Sequence, residues 1–340
     1  MINIAINGFG RIGRSLLRVI FDRKSNFKVK VINDINLTDL SDREYLENLI
    51  YLLKNDSIYG PFKEKLAIKK NILEIGSEKI HLFLTKIENI NYNKFNINTI
   101  VDSSGTNISY KSIKKSIQGN KKILITNNYK DADITLVKGV NDHEFNYLKH
   151  NVISVSTCTG QAFLPFAKII NDNFIIENGF VTTIHPSLSD DFVMDSSKRP
   201  FQYGRSFKNV RLLPTNVVKS AVQVIPDLKN KLFEKSLSYR VPTDIVSSVL
   251  GVIKVKKKIS SKKDIIKLIF KNSNNIRLCK GFFDRPLVSS DYIRSIHPCI
   301  LSEEWLDVSN NDMIRFQIWH DNEYAYSNQI YKTIKYVNQK

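Results

Sequence analysis

In the first part of the chain, short apolar runs typical of strands alternate with segments whose apolar residues recur at helical spacing. Residues 2–6 form an apolar run, and Ile12, Leu16, Leu17 and Ile20 then recur at the spacing of one helix face. Further apolar runs predict strands at residues 29–32, 99–102 and 122–125. Strands that alternate with helices predict an α/β fold with a parallel, doubly wound sheet.

The pattern changes from about residue 152 onward. Helical spacing predicts a helix over residues 162–173, and a β-branched run predicts a strand over residues 180–184. A long irregular stretch follows at residues 186–214, and loops of that length are usually functional. Strands of a second sheet are predicted at residues 237–242, 246–255 and 314–319, and a helix from residue 324 onward.

Length and composition fit this division. A chain of 340 residues exceeds the size of one typical core, so two domains are expected. No apolar run is long enough to cross a membrane, and the N-terminus begins directly with a predicted strand instead of a signal sequence. The odd number of cysteines, three, argues against a disulfide framework and favours a reducing cytoplasm.

The net charge of +18 raises the question of an anionic partner. Lysines are spread along the whole chain beside many Asn and Ile residues, which favours a general compositional bias over a binding patch. Binding of RNA is the non-enzymatic alternative, and it is secondary to an enzymatic function.

A glycine-rich turn follows the first predicted strand and opens the first predicted helix. Its sequence is Gly8-Phe9-Gly10-Arg11-Ile12-Gly13. Glycines at these positions permit a tight turn, close approach of a pyrophosphate and close packing of helix on strand. Asp34 ends the second strand, 21 residues beyond Gly13, where a carboxylate can accept a hydrogen bond from a ribose 2′-hydroxyl. A 2′-phosphate would be repelled there, so NAD is predicted over NADP.

Cys158 and His185 are the candidate reactive pair. Cys158 precedes the predicted helix, whose N-terminus would favour a thiolate. His185 follows the strand at residues 180–184, so a helix out and a strand back bring the two side chains together. A thiolate and an imidazolium could then attack a carbonyl carbon. From the residues alone, a buried structural thiol and a structural histidine remain open alternatives.

Collinear motifs over nearly the whole chain resemble the glyceraldehyde-3-phosphate dehydrogenase family. They are Asn7 to Arg14, Asn33-Asp34, Leu53 to Ser57, Gly139 to Asn141, Cys158-Thr159, Thr182 to His185, Arg240 to Thr243, Pro286 to Ser289 and Trp319 to Glu323. The likeness is weak around residues 63–98 and 255–280. The family resemblance implies a Rossmann-type NAD domain over residues 1–157, to which a terminal helix at residues 323–340 returns. It also implies an α+β catalytic domain with a mostly antiparallel sheet over residues 158–322.

The resemblance implies NAD as cofactor, no metal, a small phosphorylated aldehyde as substrate and a glycolytic homotetramer. Cys158 would form a thioester, and His185 would act as its base. Gly8, Gly10, Arg11, Ile12, Gly13 and Asp34 would bind the cofactor, together with Asn322 at the carboxamide and Tyr326 beside the ring. Arg240, Thr157 and Thr159 would bind the anionic groups of the substrates. Residues 186–214 would border the cofactor site of a neighbouring subunit.

The chain departs from the family pattern around the expected phosphate sites. Gly160-Gln161 follows Cys158-Thr159, Leu188 stands where the family has a threonine, and the segment at residues 214–219 is shortened. Lys219, Arg205, Lys208 or Arg211 could compensate for lost hydroxyl donors. The string from His185 through Ser189-Asp190 is closer to erythrose-4-phosphate dehydrogenase, a relative that hydrolyses its thioester. That enzyme, and a paralogue with impaired turnover that binds NAD or RNA, are therefore the alternatives.

Overall fold

The computed structural model describes residues 1–23, 25–106, 108–118, 121–188, 191–197, 201–206, 208–272, 275–281 and 285–339. The chain divides into two compact units. Unit 1 comprises Met1–Leu136, Glu144–Ser156 and Ile330–Lys340, and unit 2 comprises Val137–His143 and Thr157–Gln329. The domain limits inferred from the sequence stay a prediction. Ser189 and Asp190, which carry part of the likeness to erythrose-4-phosphate dehydrogenase, lie outside the described residues.

Unit 1 contains short strands and three helices among the described residues. The strands are β1 (Ile2–Asn7), β2 (Phe27–Asp34), β3 (Asn55–Asp56), β4 (Gly60–Pro61), β5 (Leu66–Lys69), β6 (Ile72–Ile75), β7 (Glu78–Leu84), β8 (Thr99–Asp102), β9 (Lys122–Ile125), β10 (Ile134–Thr135) and β11 (Val152–Ser154). The helices are α1 (Arg11–Asp22), α2 (Asp42–Lys54) and α3 (Tyr110–Ser116). The strands predicted at residues 2–6, 29–32, 99–102 and 122–125 are confirmed.

The main sheet of unit 1 has the strand order β10-β11-β9-β8-β1-β2-β7-β6-β5. The strands from β10 to β7 in this order pair in parallel, whereas β5, β6 and β7 pair antiparallel. The strand order reverses direction at β1, whose neighbours are β2 and β8. Such a reversal opens a crevice at the carboxyl ends of the strands, where α/β proteins bind nucleotides. The turn after β1 therefore lies where a dinucleotide site is expected.

Unit 2 contains a mixed sheet with helices packed on one face. Its strands are β12 (Ile176–Pro186), β13 (Arg211–Pro214), β14 (Leu237–Val241), β15 (Ser247–Val255), β16 (Ile276–Cys279), β17 (Cys299–Ser302), β18 (Asp307–Ser309) and β19 (Met313–His320). Its helices are α4 (Cys158–Phe174), α5 (Val217–Val224) and α6 (Lys262–Asn272), and the terminal helix α7 (Tyr324–Val337) runs from unit 2 residues into unit 1 residues. The strand order is β13-β14-β12-β15-β19-β17-β16, with β18 paired to β19.

Short 3₁₀ turns complete the described secondary structure. They lie at Ile87–Asn89, Tyr92–Phe95, Asp142–Glu144, Phe201–Gly204, Pro226–Leu228 and Ser289–Tyr292. No helix in the described part of the chain combines the length and apolar character needed to cross a membrane.

The two faces of the unit 2 sheet differ sharply. Alternate residues such as Val181, Val249 and Ile318 are buried in the core with the helices, and the Phe316 ring lies 4.8 Å from the Phe166 ring of α4. We call this the inner face. Because side chains alternate along a strand, the residues between them form the outer face. The outer face carries partly exposed apolar side chains: Phe180, Ile184, Leu212, Tyr239 and Val252.

Two sequence expectations for unit 2 were wrong. The helix predicted from residue 162 begins at Cys158, because the Thr157 hydroxyl accepts a hydrogen bond from the Gly160 N–H at 3.0 Å and caps the helix earlier. The stretch at residues 186–214, predicted to be irregular, ends in the edge strand β13. Its residues pair with β14, so the partner strand and not the local sequence defines it.

A buried ion pair holds the segment that follows β12 against β13. The guanidinium of Arg211 donates to both carboxylate oxygens of Asp191, at 2.7 and 2.6 Å, and the two side chains are 3% and 5% exposed. Asp191 also accepts from the Leu188 N–H at 2.9 Å. Burial tends to raise the pKa of Asp191, but the hydrogen bonds from Arg211 and Leu188 outweigh it and lower the pKa. Arg211 therefore has a structural partner, and its role as a phosphate ligand stays a prediction.

Replacing Arg211 with Met should destabilise the fold by about 3–5 kcal/mol, because a buried carboxylate would lose its charge partner. The free energy of unfolding in denaturant at pH 7 measures this. Arg205→Met is the matched control, since Arg205 and Asp195 form an exposed pair at 3.5 Å that should contribute only about 0–1 kcal/mol. Equal effects of the two substitutions would contradict the assignment. Because the pKa of Asp191 is lowered on folding, the stabilisation should be complete above the unfolded pKa and lost as pH falls through the folded one.

Candidate active site

The turn after β1 has the geometry of a nucleotide-binding loop. Gly8 has a φ of +86°, and a Cβ there would lie 2.3 Å from the Ser104 backbone nitrogen. A Cβ on Gly13 would lie 2.3 Å from the Gly8 carbonyl oxygen. Gly10 is the N-cap residue of α1 and makes no side-chain capping bond. No described atom lies within 4 Å of where its Cβ would be. The first amide groups of α1 are thus open to a phosphate.

Two carboxylates fix the surroundings of this turn. Asp34 accepts from the Phe9 N–H at 3.0 Å and from the Ile35 N–H at 2.8 Å, so it is tied to the turn itself. The Arg11 guanidinium lies 2.8 Å from the buried Asp56 carboxylate. Burial tends to raise the pKa of Asp56, but hydrogen bonds from the Tyr59 amide and the charge of Arg11 lower it. Arg11 and Ile12 can therefore meet a phosphate through their backbone amides.

Cys158 is the first residue of α4. Its Sγ atom lies 3.8 Å from His185 Nε2 and 4.0 Å from the Thr159 hydroxyl. The capping bond of Thr157 sets where the helix begins, and therefore where the sulfur points. The predicted meeting of the two side chains within unit 2 is thus present in the structure.

His185 is held from its other ring nitrogen. Nδ1 lies 2.9 Å from the Pro186 carbonyl oxygen and also contacts the Arg240 guanidinium; a bond to the carbonyl places the ring proton on Nδ1, and a bond from Arg240 places it on Nε2. With the proton on Nδ1, Nε2 presents its lone pair to the Cys158 thiol. The imidazole is oriented as a base for that thiol, although 3.8 Å is a long contact for proton transfer in the absence of substrate.

Desolvation favours the neutral forms of both members of the pair. Desolvation raises the pKa of the Cys158 thiol and outweighs the Thr159 hydroxyl and the Arg240 charge, which lower it. Desolvation and then the charge of Arg240 lower the pKa of His185 to about 3. The thiolate expected from the helix N-terminus stays a prediction, and desolvation opposes it in the free protein.

Arg240 lies beside His185 in the sheet. The two residues are register partners on β14 and β12, and the Arg240 guanidinium contacts His185 Nδ1 and donates to the Pro186 carbonyl oxygen at 3.4 Å. A cation is thereby placed next to the reactive pair, where it can receive an anionic group of a substrate.

Asn322 and Tyr326 lie buried after β19. Asn322 Oδ1 accepts from the Val246 N–H at 3.0 Å, which directs the amide nitrogen away from that bond. Val246 has a φ of +71°, a costly conformation for a β-branched residue, so the bond holds a strained backbone. Desolvation and the nearby Cys158 raise the pKa of Tyr326 far above its ordinary value, so its phenol stays protonated.

The other candidate phosphate ligands lie at different places in the structure. Thr159 is buried beside the sulfur, and Leu188 exposes 43% of its surface. Lys219 is exposed on α5, which begins two residues earlier at Val217 after Asn216. Arg205 pairs with Asp195, and Lys208 is exposed. No described contact brings these three cations to Cys158.

Three residues near His185 were not identified from the sequence. Asp191, Ser247 and His320 lie in the same part of unit 2, but strand alternation alone did not single them out. His320 occurs in the motif from Trp319 to Glu323, in which only Asn322 was assigned a role. A signal was available for Ser247 and His320: each lies an even number of residues from core positions of its own strand.

The two halves of the chain each match a known family. Residues 2–110 match the glyceraldehyde 3-phosphate dehydrogenase NAD binding domain, and residues 157–322 match the C-terminal domain of the same family. Glyceraldehyde-3-phosphate dehydrogenase 2 of Nostoc sp. is 32% identical, with 100% of this chain and 99% of that protein covered. The enzyme of Chlamydia pneumoniae is 32% identical over 99% of this chain and 98% of its own length, and that of Priestia megaterium is 30% identical over 100% and 99%.

The matches confirm NAD as the cofactor and the α/β fold with a separate catalytic domain. Because a relative above 30% identity is covered from end to end, the chain belongs to the glyceraldehyde-3-phosphate dehydrogenase family and is an NAD-dependent oxidoreductase that acts on an aldehyde group.

Proposed function

We propose that the protein oxidises a phosphorylated aldehyde, glyceraldehyde-3-phosphate in the first place, through a thioester on Cys158. The observation that carries this proposal is the 3.8 Å contact of Cys158 Sγ with His185 Nε2, with Arg240 beside the imidazole. A nucleophile, a base and a cation for the substrate's phosphate then lie together. The names of the relatives support the choice of substrate.

Substrate binding is expected to activate the neutral pair. In the free protein the charge of Arg240 opposes an imidazolium at His185. A phosphate group on Arg240 offsets that charge, so His185 can take the Cys158 proton as the sulfur attacks the aldehyde carbon. His185 returns that proton to the new oxyanion, which makes the adduct a hemithioacetal, and then accepts the hydroxyl proton while hydride leaves the carbon. NAD supplies the hydride acceptor when bound, and the Cys158 N–H can hold the carbonyl oxygen of the thioester.

The turn in unit 1 supports the cofactor role. The open amide groups at the start of α1 suit a pyrophosphate, and Gly10 leaves room for it. Asp34 has acceptor capacity for a ribose hydroxyl beyond its two backbone bonds. The Asn322 amide nitrogen would bind the carboxamide of the nicotinamide, and the buried Tyr326 would flank the ring.

Erythrose-4-phosphate is the second candidate substrate. The apolar Leu188 supports it, since a hydroxyl ligand for phosphate is missing at that position. A longer aldehyde that relies on Arg240 for its phosphate would tolerate this loss. Parallel assays of the two aldehydes distinguish the candidates by their kcat/KM values.

We also propose the homotetramer and the cytoplasmic location. The outer face of the unit 2 sheet supports an assembly, because Phe180, Ile184, Tyr239 and Val252 form an apolar surface on adjoining strands. Exposed apolar patches of this kind mark protein interfaces. A second copy of the chain would cover this surface.

Cys158→Ser should reduce turnover by about a thousandfold or more, because a hydroxyl is a far weaker nucleophile than a thiol at neutral pH. Production of NADH from glyceraldehyde-3-phosphate measures this, and binding of NAD should be retained. Cys279→Ser is the control, because Cys279 lies 3.5 Å from the Tyr292 hydroxyl in another part of unit 2. Full activity of the Cys158 variant would remove the proposed nucleophile.

Asp34→Asn should shift the preference for NAD over NADP by about tenfold, or ~1.4 kcal/mol, because it removes the charge that repels a 2′-phosphate. The amide oxygen can still accept from the Phe9 N–H. The ratio of kcat/KM values with the two cofactors is the measurement, and the exposed Asp39→Asn serves as control. An unchanged ratio would assign ribose discrimination to another residue.

Val252→Lys should shift the oligomeric state to smaller species, since a charge on the outer face would be buried by a second copy. Light scattering coupled to size exclusion determines the mass. Leu148→Lys, at a highly exposed position of unit 1, is the control and should leave the mass unchanged. An unaltered tetramer in the Val252 variant would show that this face is not the interface.

A further inference from the structure

A polar cavity of about 250 Å³ lies in unit 1, beside the 3₁₀ turns Ile87–Asn89 and Tyr92–Phe95 and the end of α3. Its lining consists of residues 88–93 together with Lys115, Ser116, Gln118 and Lys121. None of these residues belongs to the glycine turn or to the reactive pair. The proposed oxidation of an aldehyde therefore makes no use of this cavity.

Lys121 brings a buried positive charge to the cavity. The residue is 5% exposed, and its ammonium group contacts the Asn93 amide oxygen and donates to the Gln118 carbonyl oxygen at 2.5 Å. An ammonium group has three donors, so one of them has no acceptor among the described residues. Burial lowers the pKa of Lys121, and no carboxylate in the described part of the chain offsets this effect.

The next residue along the chain shows how a buried lysine is satisfied by the protein itself. Lys122 is 3% exposed. Its three donors have three acceptors: the carbonyl oxygens of Tyr147 and His150 and the amide oxygen of Asn151. The charge of Asp133 also raises the pKa of Lys122, against the larger effect of burial. Lys121 has neither a third acceptor nor an anion within the described structure, which indicates a partner from outside the chain.

Tyr92 supplies a second buried donor without an acceptor. The residue is 2% exposed, and its ring belongs to the same core cluster as Ile97 and Ile113. Its hydroxyl has no hydrogen-bond partner within the described ranges. Burial, and then the charges of Asp102 and Glu88, raise the pKa of Tyr92, so the phenol keeps its proton. Because Lys121 contacts the residue next to Tyr92, two unsatisfied donors line one small cavity.

The charges around the cavity favour a ligand with a single negative charge. Lys115 and Lys121 contribute two positive charges to the lining and Glu88 one negative charge, which leaves a net charge of about +1. The Asp102 carboxylate near Tyr92 opposes a second negative charge on the ligand. A carboxylate has two oxygens that can accept from two separate donors. Most of the other lining side chains are amides and a hydroxyl, which can bind hydroxyl groups of the ligand.

We propose that this cavity binds a short hydroxy acid, whose carboxylate accepts from the Lys121 ammonium group and the Tyr92 hydroxyl. The carboxylate supplies the acceptors that both donors lack, and its charge offsets that of Lys121. L-lactate is a suitable probe, because it carries one carboxylate and one hydroxyl on three carbons. Binding to the folded chain alone raises the unfolding temperature as the concentration of the acid increases.

Calorimetric titration of L-lactate into the full chain, at constant ionic strength and with NAD present, tests the proposal. The unaltered protein should bind about one lactate per chain, and neither glycerol nor inorganic phosphate should displace it. Tyr92→Phe should weaken lactate binding by about tenfold or more, because it removes one donor to a charged acceptor. Without lactate, the unfolding temperature of this variant should stay the same or rise, since the change removes an unsatisfied buried hydroxyl. Lys121→Met should weaken binding at least as much.

Lys122→Met and Lys114→Met are the matched controls. Lys122 is buried with all its donors satisfied, Lys114 is exposed on α3, and neither lines the cavity. Each control removes one positive charge close to Lys121 in sequence and should leave lactate binding within about twofold. The unfolding temperature shows which variants fold, and Lys114→Met alone serves where Lys122→Met does not. Lack of saturable lactate binding by the unaltered protein would overturn the proposal. Unchanged binding in Tyr92→Phe, or an equal loss in the folded controls, would do the same.

Discussion

The pairing register of β12 with its neighbours is the constraint on which the reactive centre depends. His185 meets Arg240 across β14 and approaches Cys158 because its side chain is on the inner face. A slip of one residue would turn His185 outward and place Ile184 in the core. That slip is opposed by buried apolar residues on the same strands, among them Val181 and Val249. The register that buries the apolar side chains of unit 2 therefore also places His185 beside Cys158.

Desolvation favours the neutral forms of the proposed reactive pair in the free protein. A thiol at a helix N-terminus next to a histidine resembles an activated pair, yet burial stabilises the uncharged forms of Cys158 and His185. The charge of Arg240 increases the cost of an imidazolium. A substrate anion that neutralises Arg240 therefore does two things at once: it binds, and it makes proton transfer less costly.

Local sequence predicted those parts of the structure that local physics determines. The turn from Gly8 to Gly13 could be identified because tight backbone approach excludes a Cβ, and the helical and strand periods located most elements. The start of α4 was missed by four residues because a single hydroxyl, that of Thr157, decides it. The pairing of Asp191 with Arg211 joins positions 20 residues apart through a strand that only its neighbour defines. Ser247 and His320 are adjacent only through the sheet, so no spacing along the chain reveals them.

The groups on the two sides of His185 differ in charge. On one side the guanidinium groups and Asp191 favour a single anion, and on the other the Ser247 hydroxyl and the neutral His320 imidazole favour an uncharged molecule. An ion that entered the neutral side would lose its hydration without a countercharge, and a water on the cationic side would compete with phosphate. His185 therefore has a cation on one side and buried neutral polar groups on the other, so an anionic group of a substrate is expected on the side of Arg240.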